Sequence, residues 1–521
     1  MKAISAHGHA TREMSRAALN ALSTTGDPGK FGRMFPMLDP LQVSDDALEF
    51  LAGLMKDSVD AAGDTLPAGD NPTVPAGYTY LGQFIDHDIT LDTTPLEAQE
   101  VDPLATSNFR SPSVDLDSVY GQGPAIHPHL YQRDPATHRT TAKLLIGRAG
   151  ASFDPAGGNV PDLPNDLPRN QVGRALIGDE RNDENLLVAQ THVLLLKFHN
   201  KVVDLLMSTQ PALTGSALFD EARRIVTWHY QWIVLFDFVE RLTEPGLVKR
   251  IKTAGRRFYR FRSRPYMPAE FAAAAYRLGH SMVRERYSHN RVFRDGGVAP
   301  GTLGLLFNFT AKSGQIVGEL VDQGALNTGT GPGPLRDLPS NWVIDWRRFF
   351  DMGTHLGTPD FALNPARRLD TKIVPALHSL PGLSGREASL AFRNLRRGVI
   401  LGLPSGQDVA RAMGLAKLTE DEVLAGLSAA DKTTLRGHNL HKATPLWYYI
   451  LKEAEVKHAG IRLGPVGSTI IAETFLGLIH GDHKSFLWLR ANWKPELPSA
   501  TPDHFTMADM VRFVGDINPV G

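Results

Sequence analysis

Apolar positions recur at helical spacing through most of the chain. The clearest run is 184–208 (ENLLVAQTHVLLLKFHNKVVDLLMS), where Leu186, Ala189, Val193, Leu196, Val203 and Leu206 fall on one face. Gly178–Glu184 supplies caps and acids at its N-terminus. The same spacing predicts helices over 217–243, 268–285, 386–398, 406–414, 419–428 and 470–491. Strand signals are few and short, Arg257–Phe261 being one. Residues 1–75 read as a polar arm with one short helix near Asp45–Lys56, and 62–76 (AGDTLPAGDNPTVPA) as a Pro/Gly-rich linker. Residues 92–170 are rich in Pro, Asp and Gly with little periodicity, which marks either disorder or an ordered functional loop. No internal repeat is present. The expected fold class is mainly α: an N-terminal arm (1–75) and one large domain (76–521) with few short strands and long ordered loops.

Composition narrows the function. With 521 residues, 42% of them apolar, the chain can bury a large core. A net charge of −1 gives no reason to expect nucleic acid or an acidic membrane as partner. The absence of Cys excludes disulfides, Cys-ligated zinc, iron–sulfur clusters and thiolate-ligated haem. It also suits an enzyme that handles peroxide, although lineage preference accounts for it equally well. The N-terminus has no apolar leader and no run of about 18 apolar residues follows, so a cytoplasmic location is the default expectation, with leaderless export left open.

Five short segments carry candidate chemistry. In Gly82-Gln83-Phe84-Ile85-Asp86-His87-Asp88, Gln83 and His87 share a helix face and acids flank the histidine. In Ser111-Pro112-Ser113-Val114-Asp115-Leu116-Asp117, alternate oxygen-bearing side chains can turn hard ligands toward one cation, as calcium prefers, although Asx turns explain such a loop as readily. In Gly178-Asp179-Glu180-Arg181-Asn182-Asp183-Glu184, Arg181 and Glu184 can face the same way, or form an ordinary salt bridge and cap. Tyr276-Arg277-Leu278-Gly279-His280 follows a run of alanines that lets a flat body approach closely. Its plain reading is a packed helix with a satisfied histidine. Asn394, between apolar positions of Ala391–Gly398, asks for a buried partner, and Arg397 three residues on could meet a carboxylate.

No segment decides the case alone, but their order does. G-Q-x-x-D-H-D, an oxygen-rich loop ending in Y-G, G-D-x-R-x-x-E, R-x-G-H and N-x-x-R follow one another across roughly 78–400. The chain thereby resembles the animal-type haem peroxidases of the peroxidase–cyclooxygenase superfamily. Residues 31–38 (FGRMFPML), the DLDSVYG loop and the lack of Cys look most like the bacterial branch. The segment with His192 and His199-Asn200 is similar to the family's H-x-x-x-x-x-x-H-N.

The resemblance implies roles residue by residue. His87, Gln83 and Arg181 match the distal histidine, glutamine and arginine. His280 matches the proximal ligand of the haem iron, and Asn394 the partner of its other ring nitrogen. Arg277 and Arg397 match positions near the haem propionates. Asp86 and Glu184 match the acids that can ester-link haem b. Asn185 stands where some members carry a methionine that forms a sulfonium link, so that link is not expected. Asp88, Ser111, Ser113 (through its carbonyl), Asp115 and Asp117 match the calcium loop, with one acid more than the family's usual set.

The activity so implied is oxidation of small donors, phenolic or aromatic compounds or halides, by hydrogen peroxide through a ferryl intermediate. His87 acts as the base and Arg181 stabilises developing charge. Neither membrane nor nucleic acid is an expected partner, and the oligomeric state stays open. The runner-up is a fatty-acid dioxygenase. That branch uses a radical tyrosine three residues before the proximal histidine, where this chain has Arg277; Tyr276 is one residue away, about 100° round a helix. A silent structural protein on the same fold, or a non-haem metal oxidase, fits the ordered motifs less well.

Overall fold

The computed structural model describes residues 31–59, 67–91, 108, 110–154, 158–262, 264–316, 337–353, 361–380 and 383–521. Eight helices position the site. They are α1 (Asp45–Leu54), α2 (Gly77–Ile89), α3 (Leu186–Thr209), α4 (Gly215–Ile233), α5 (Leu247–Ala254), α6 (Leu390–Ile400), α7 (Leu446–His458) and α8 (Pro465–Gly481).

The 184–208 pattern becomes α3. The Asn185 side chain caps it by accepting from the Val188 N–H at 3.0 Å, and Leu186, Leu187, Val193 and Leu196 are buried. Helices α2 and α4 pack against it. α4 continues through a π-helical turn, Val234–Val239, which carries Asp237 to the phenol of Tyr78 on α2. α8 is apolar all round and accordingly buried, with Ile470, Ile471, Phe475 and Leu478 fully enclosed. No helix of the described residues is long and apolar enough to cross a membrane.

The strands are short pairs. Tyr131–Arg133 with Thr140–Leu144, Gly147–Ala149 with Leu163–Asp166, and Ser152–Asp154 with Gly158–Val160 give the described part of 92–170 its order.

Several stretches differ from the sequence-based expectation; 419–428, for one, is α-helical only over Glu420–Val423. The described parts of the arm and linker are built into the body. Phe31–Gly32 pairs with Met267–Pro268, Asp70–Pro75 pairs with Pro365–Arg367, and Leu48, Leu51 and Met55 of the α1 region are wholly buried. The N–H groups of Met34 and Phe35 donate to the Glu270 carboxylate, each at 3.0 Å.

Residues 268–285 do not form one helix. They divide into Ala269–Ala272, a 3-10 turn Ala275–Leu278 and a single turn Gly279–Met282, broken where Ala274 adopts φ −132°, ψ −76°. The break lets Phe271 and Tyr276 stack at 4.7 Å, although five residues apart they would stand about 140° apart on a straight helix. Residues 470–491 likewise end at Gly481 and restart as Phe486–Leu489. Arg257–Phe261 is not a strand, because the N–H groups of Arg257, Phe258 and Tyr259 donate to the buried Glu473 carboxylate of α8.

Candidate active site

Helix α2 turns two faces to two different environments. Its buried Leu81, Phe84, Ile85 and Ile89 fix the helix in the core. Gln83, Asp86 and His87 then line a cavity of about 400 Å³, within the usual range for a ligand or cofactor site. Asp88 points elsewhere, to the loop 110–118. Glu184 reaches the cavity from the turn before α3, and Arg277 and His280 reach it from the broken 275–282 segment. Six residues singled out in the sequence therefore share one cavity. Leu303, Leu306, Phe307, Leu377, Leu380 and Leu390 supply much of its apolar wall.

The His87 side is a hydrogen-bonded shelf. His87 Nδ1 meets Asn182 Oδ1 at 2.8 Å, and Asn182 Nδ2 meets Nδ1 of the fully buried His192 at 3.0 Å. As oriented, the Asn182 oxygen accepts from His87 Nδ1–H, which leaves Nε2 on the side of Glu184. Nε2 stands 3.5 Å from Glu184 Oε1, and Gln83 Nε2 donates to that same oxygen. Asn185 Nδ2 in turn donates to Gln83 Oε1 at 3.0 Å. Burial pushes His192 down to about 3, so it stays neutral beside Asn182.

Arg181 departs from the expectation that it shares the His87 side of the pocket. Its guanidinium is held by Asp179, with Nη2 to Oδ2 at 2.7 Å, and by the carbonyls of His87 and Thr90. It does not line the cavity. The cause is local. Burial raises the Asp179 carboxyl, but the guanidiniums of Arg181 and Arg110 outweigh burial and hold it well below the usual carboxylate range. That ion pair clamps the end of α2 from outside.

The His280 side is sparse. His280 Nδ1 lies 2.7 Å from the Asn394 carboxamide of α6. A half-turn of that amide, which leaves its outline unchanged, presents Oδ1 and lets Nδ1–H donate. Burial first, then the Arg277 charge, pushes His280 down to about 3, with Asp86 pulling the other way. The ring is thus a neutral donor with Nε2 left for a metal. Trp447 of α7, unnoticed in the sequence, stands edge-on to His280 at 6.5 Å and donates through Nε1 to the Arg277 carbonyl at 3.3 Å. Arg277 Nε itself donates to the Ala272 carbonyl at 2.9 Å. Arg397, in the last turn of α6, does not line the cavity.

Behind α2, oxygens of Asp88, Asp115 and Asp117 lie within 4.8 Å of one another. Burial first, then the Asp117 charge, pushes Asp115 up to about 7, and burial with both neighbouring acids raises Asp88 as well. Leu116, buried at φ 60°, turns the chain between the two loop acids. Ser111 Oγ donates to Asp115 Oδ2 at 3.2 Å, and Ser113 lies in the same loop. Ser118, missed in the sequence, donates to Asp88 at 3.1 Å. Arg110 also escaped notice: it bonds Asp117 at 3.0 Å and Asp179 at 2.6 Å, linking the loop to the clamp on α2. Crowded carboxylates short of positive charge fit a hard divalent cation.

For the cavity, the fitting group is a planar metal macrocycle. A neutral imidazole held at its second nitrogen, a base-bearing imidazole from another element, two carboxylates, a guanidinium and an apolar wall are the donor set that haem uses.

Comparison with known proteins agrees. The chain is 28% identical over 200 residues to chorion peroxidase of Drosophila melanogaster, covering 35% of this chain and 25% of that protein. It is 23% identical over 466 residues to a peroxidasin homolog of Caenorhabditis elegans, covering 77% of this chain and 32% of that protein. The chain thus spans about a quarter to a third of the length of these curated relatives. The fold is shared with peroxidase A of Dictyostelium discoideum (TM-score 0.58, 15% identity, 94% of each chain). It is also shared with Oryza sativa fatty acid alpha-dioxygenase in a structure with palmitic acid (TM-score 0.52, 15% identity, 94% and 79%). Residues 91–297 match the family model for animal haem peroxidase, and that stretch supplies part of the cavity's lining.

Proposed function

We propose that the protein is a haem peroxidase that uses hydrogen peroxide to oxidise small donors, phenolic or aromatic compounds or halides. One observation carries the reading: two imidazoles from separate segments line a single cavity, one hydrogen-bonded to Asn182 and the other to Asn394.

His280 would hold the iron of haem b, with Asn394 fixing the ring and raising its basicity. When bound, haem supplies the redox centre that takes oxidising equivalents from peroxide and passes them to the donor. Across the cavity from His280, His87 Nε2 would accept a proton from peroxide and return it to the departing oxygen. Asn182 holds the ring in the tautomer this requires, and His192 holds Asn182. Gln83 and Glu184, hydrogen-bonded to each other, position the polar edge of the cavity. Arg181 acts here from behind α2, by clamping the helix end. Asp86 and Glu184 both line the cavity, which supports ester links to haem, and Arg277 is placed to meet a propionate. Asp88, Asp115 and Asp117, with Ser111 and Ser113, would hold calcium.

The test is the absorption spectrum of purified protein before and after peroxide, with oxidation of a phenol and of a halide followed in parallel. A haem band that shifts on peroxide and returns on donor addition is expected; protein that takes up no haem when supplied with it defeats the reading. Haem that stays with the polypeptide through acid–acetone extraction would establish the esters.

Tyr276 lines the cavity with its phenol donating to the Gly82 carbonyl at 3.1 Å, which keeps a fatty-acid dioxygenase as the second reading. Oxygen uptake with linoleate as sole substrate distinguishes it.

A further inference from the structure

Between Lys249 and Arg264, eight of sixteen residues are Lys or Arg and none is acidic. This stretch, α5 and the loop after it, lies along α8 and the chain that follows. Lys252 Nζ donates to the Ala491 carbonyl at 3.0 Å, and Phe261 packs against Gly481. Lys252 lies beside Lys494, Lys484 and Arg490 follow α8 in the chain, and Arg250 stands 3.9 Å from Glu244. Among the described residues Arg257, Arg260, Arg262 and Arg264 are in no ion pair with an acid, and three of the nearby acids are otherwise engaged. The Glu473 carboxylate is buried under three N–H groups, Asp482 accepts from the Lys484 N–H, and Glu496 holds Trp493 and Arg224.

At the tip of this face the short helix Phe486–Leu489 presents Trp488 and Leu489, 50% and 56% exposed. They are the only large exposed apolar side chains among the described residues that are neighbours in the chain. We propose that this face docks the protein peripherally on an anionic lipid bilayer, with Trp488 and Leu489 entering the headgroup region and the surrounding Lys and Arg side chains meeting lipid phosphates and carboxylates.

Charge and chemistry together favour lipid over nucleic acid. A polyanion such as RNA would use the Trp488 ring as a stacking platform. One face of that ring is already covered by His483, stacked at 4.4 Å, and His480 stands against it at 5.7 Å. An aliphatic Leu489 has no use in base stacking but gains from entering the acyl boundary, where indole also sits well. The net charge of −1 conceals the site because it averages this face with the acid-rich remainder.

The test is co-sedimentation of the full chain with vesicles of phosphatidylcholine, with and without phosphatidylserine. Binding is expected only with phosphatidylserine and should weaken as salt rises. The exposed pair Arg260→Ser with Arg262→Ser should lower partitioning about twenty-five-fold, at about fivefold for each charge near an anionic surface. The pair Trp488→Ser with Leu489→Ser should lower it about tenfold or more with the salt dependence unchanged, since apolar insertion is a separate contribution. Circular dichroism checks that both variants stay folded. Equal binding to both vesicle types, no binding to either, or tighter binding to single-stranded RNA that ignores Trp488 and Leu489 would each overturn the proposal.

Discussion

The two sides of the cavity are built differently. On the His87 side two hydrogen-bonded groups of polar side chains meet: His192, Asn182 and His87, and Gln83 with Glu184, whose Oε1 stands 3.5 Å from His87 Nε2. On the His280 side, among the described residues, the ring makes one hydrogen bond, to Asn394, with Trp447 edge-on and the Arg277 charge nearby. A site that must move protons needs several groups whose protonation is mutually set. A site that must only hold an atom needs one donor, kept neutral and aimed. That contrast is the ground for proposing chemistry at one wall and retention at the other.

Substitutions break that contrast in order of size. His87→Ala should slow reaction with peroxide by about four orders of magnitude while haem stays bound, because general-base and positioning effects each reach about 10²-fold or more. Stopped-flow absorbance after mixing with peroxide measures it, and an unchanged rate would remove the histidine from its role. His280→Ala should instead cost retention, weakening haem affinity by about a hundredfold or more, read by titrating haem into apoprotein. Asn182→Ala should leave affinity nearly intact and slow the peroxide step about tenfold; the ring nitrogens of His87, followed by NMR in apoprotein, should then report mixed tautomers rather than one. Chelation of divalent cations should cost stability and peroxide reactivity before it costs haem, since Asp88 adjoins His87 and not His280. Equal losses on both sides would contradict the assignment.

The smallest effect is one the two walls share. His192 on one side and His280 on the other are both pushed down to about 3, and the remote His199, His229 and His289 to about 4. An unfolded chain takes up protons near 6.5, before the folded one can, so the native state binds fewer protons in this window. Stability is fully present above about 6.5 and is lost as pH falls toward 4 and then 3. Thermal melts over that range, on apoprotein and loaded protein, should show a falling midpoint.

Legibility followed how local each cause was. Helix α3 could be read because its apolar residues repeat and its cap precedes it directly. The pairing of Gln83 with His87 could be read because it needs only one helical turn. The break at Ala274 could not: a run of alanines has the propensity of a helix, and the stacking of Phe271 on Tyr276 that favours the break is tertiary. Arg257–Phe261 looked like a strand because the acid that takes its N–H groups lies more than two hundred residues away, at Glu473. Arg181 was assigned its side by pattern, while its direction is set by Asp179 two residues before it. Asn182 sat inside a recognised segment, but its partners His87 and His192 come together only in the fold. The basic face escaped because charge was summed over the chain instead of along it.

Residues 87 and 88 are chain neighbours whose side chains leave α2 in different directions, one into the cavity and one into the acid cluster behind it. A cation among those acids would therefore brace the very turn that aims the base. If calcium is that cation, protein made in a calcium-starved culture should take up haem yet react slowly with peroxide until calcium is restored.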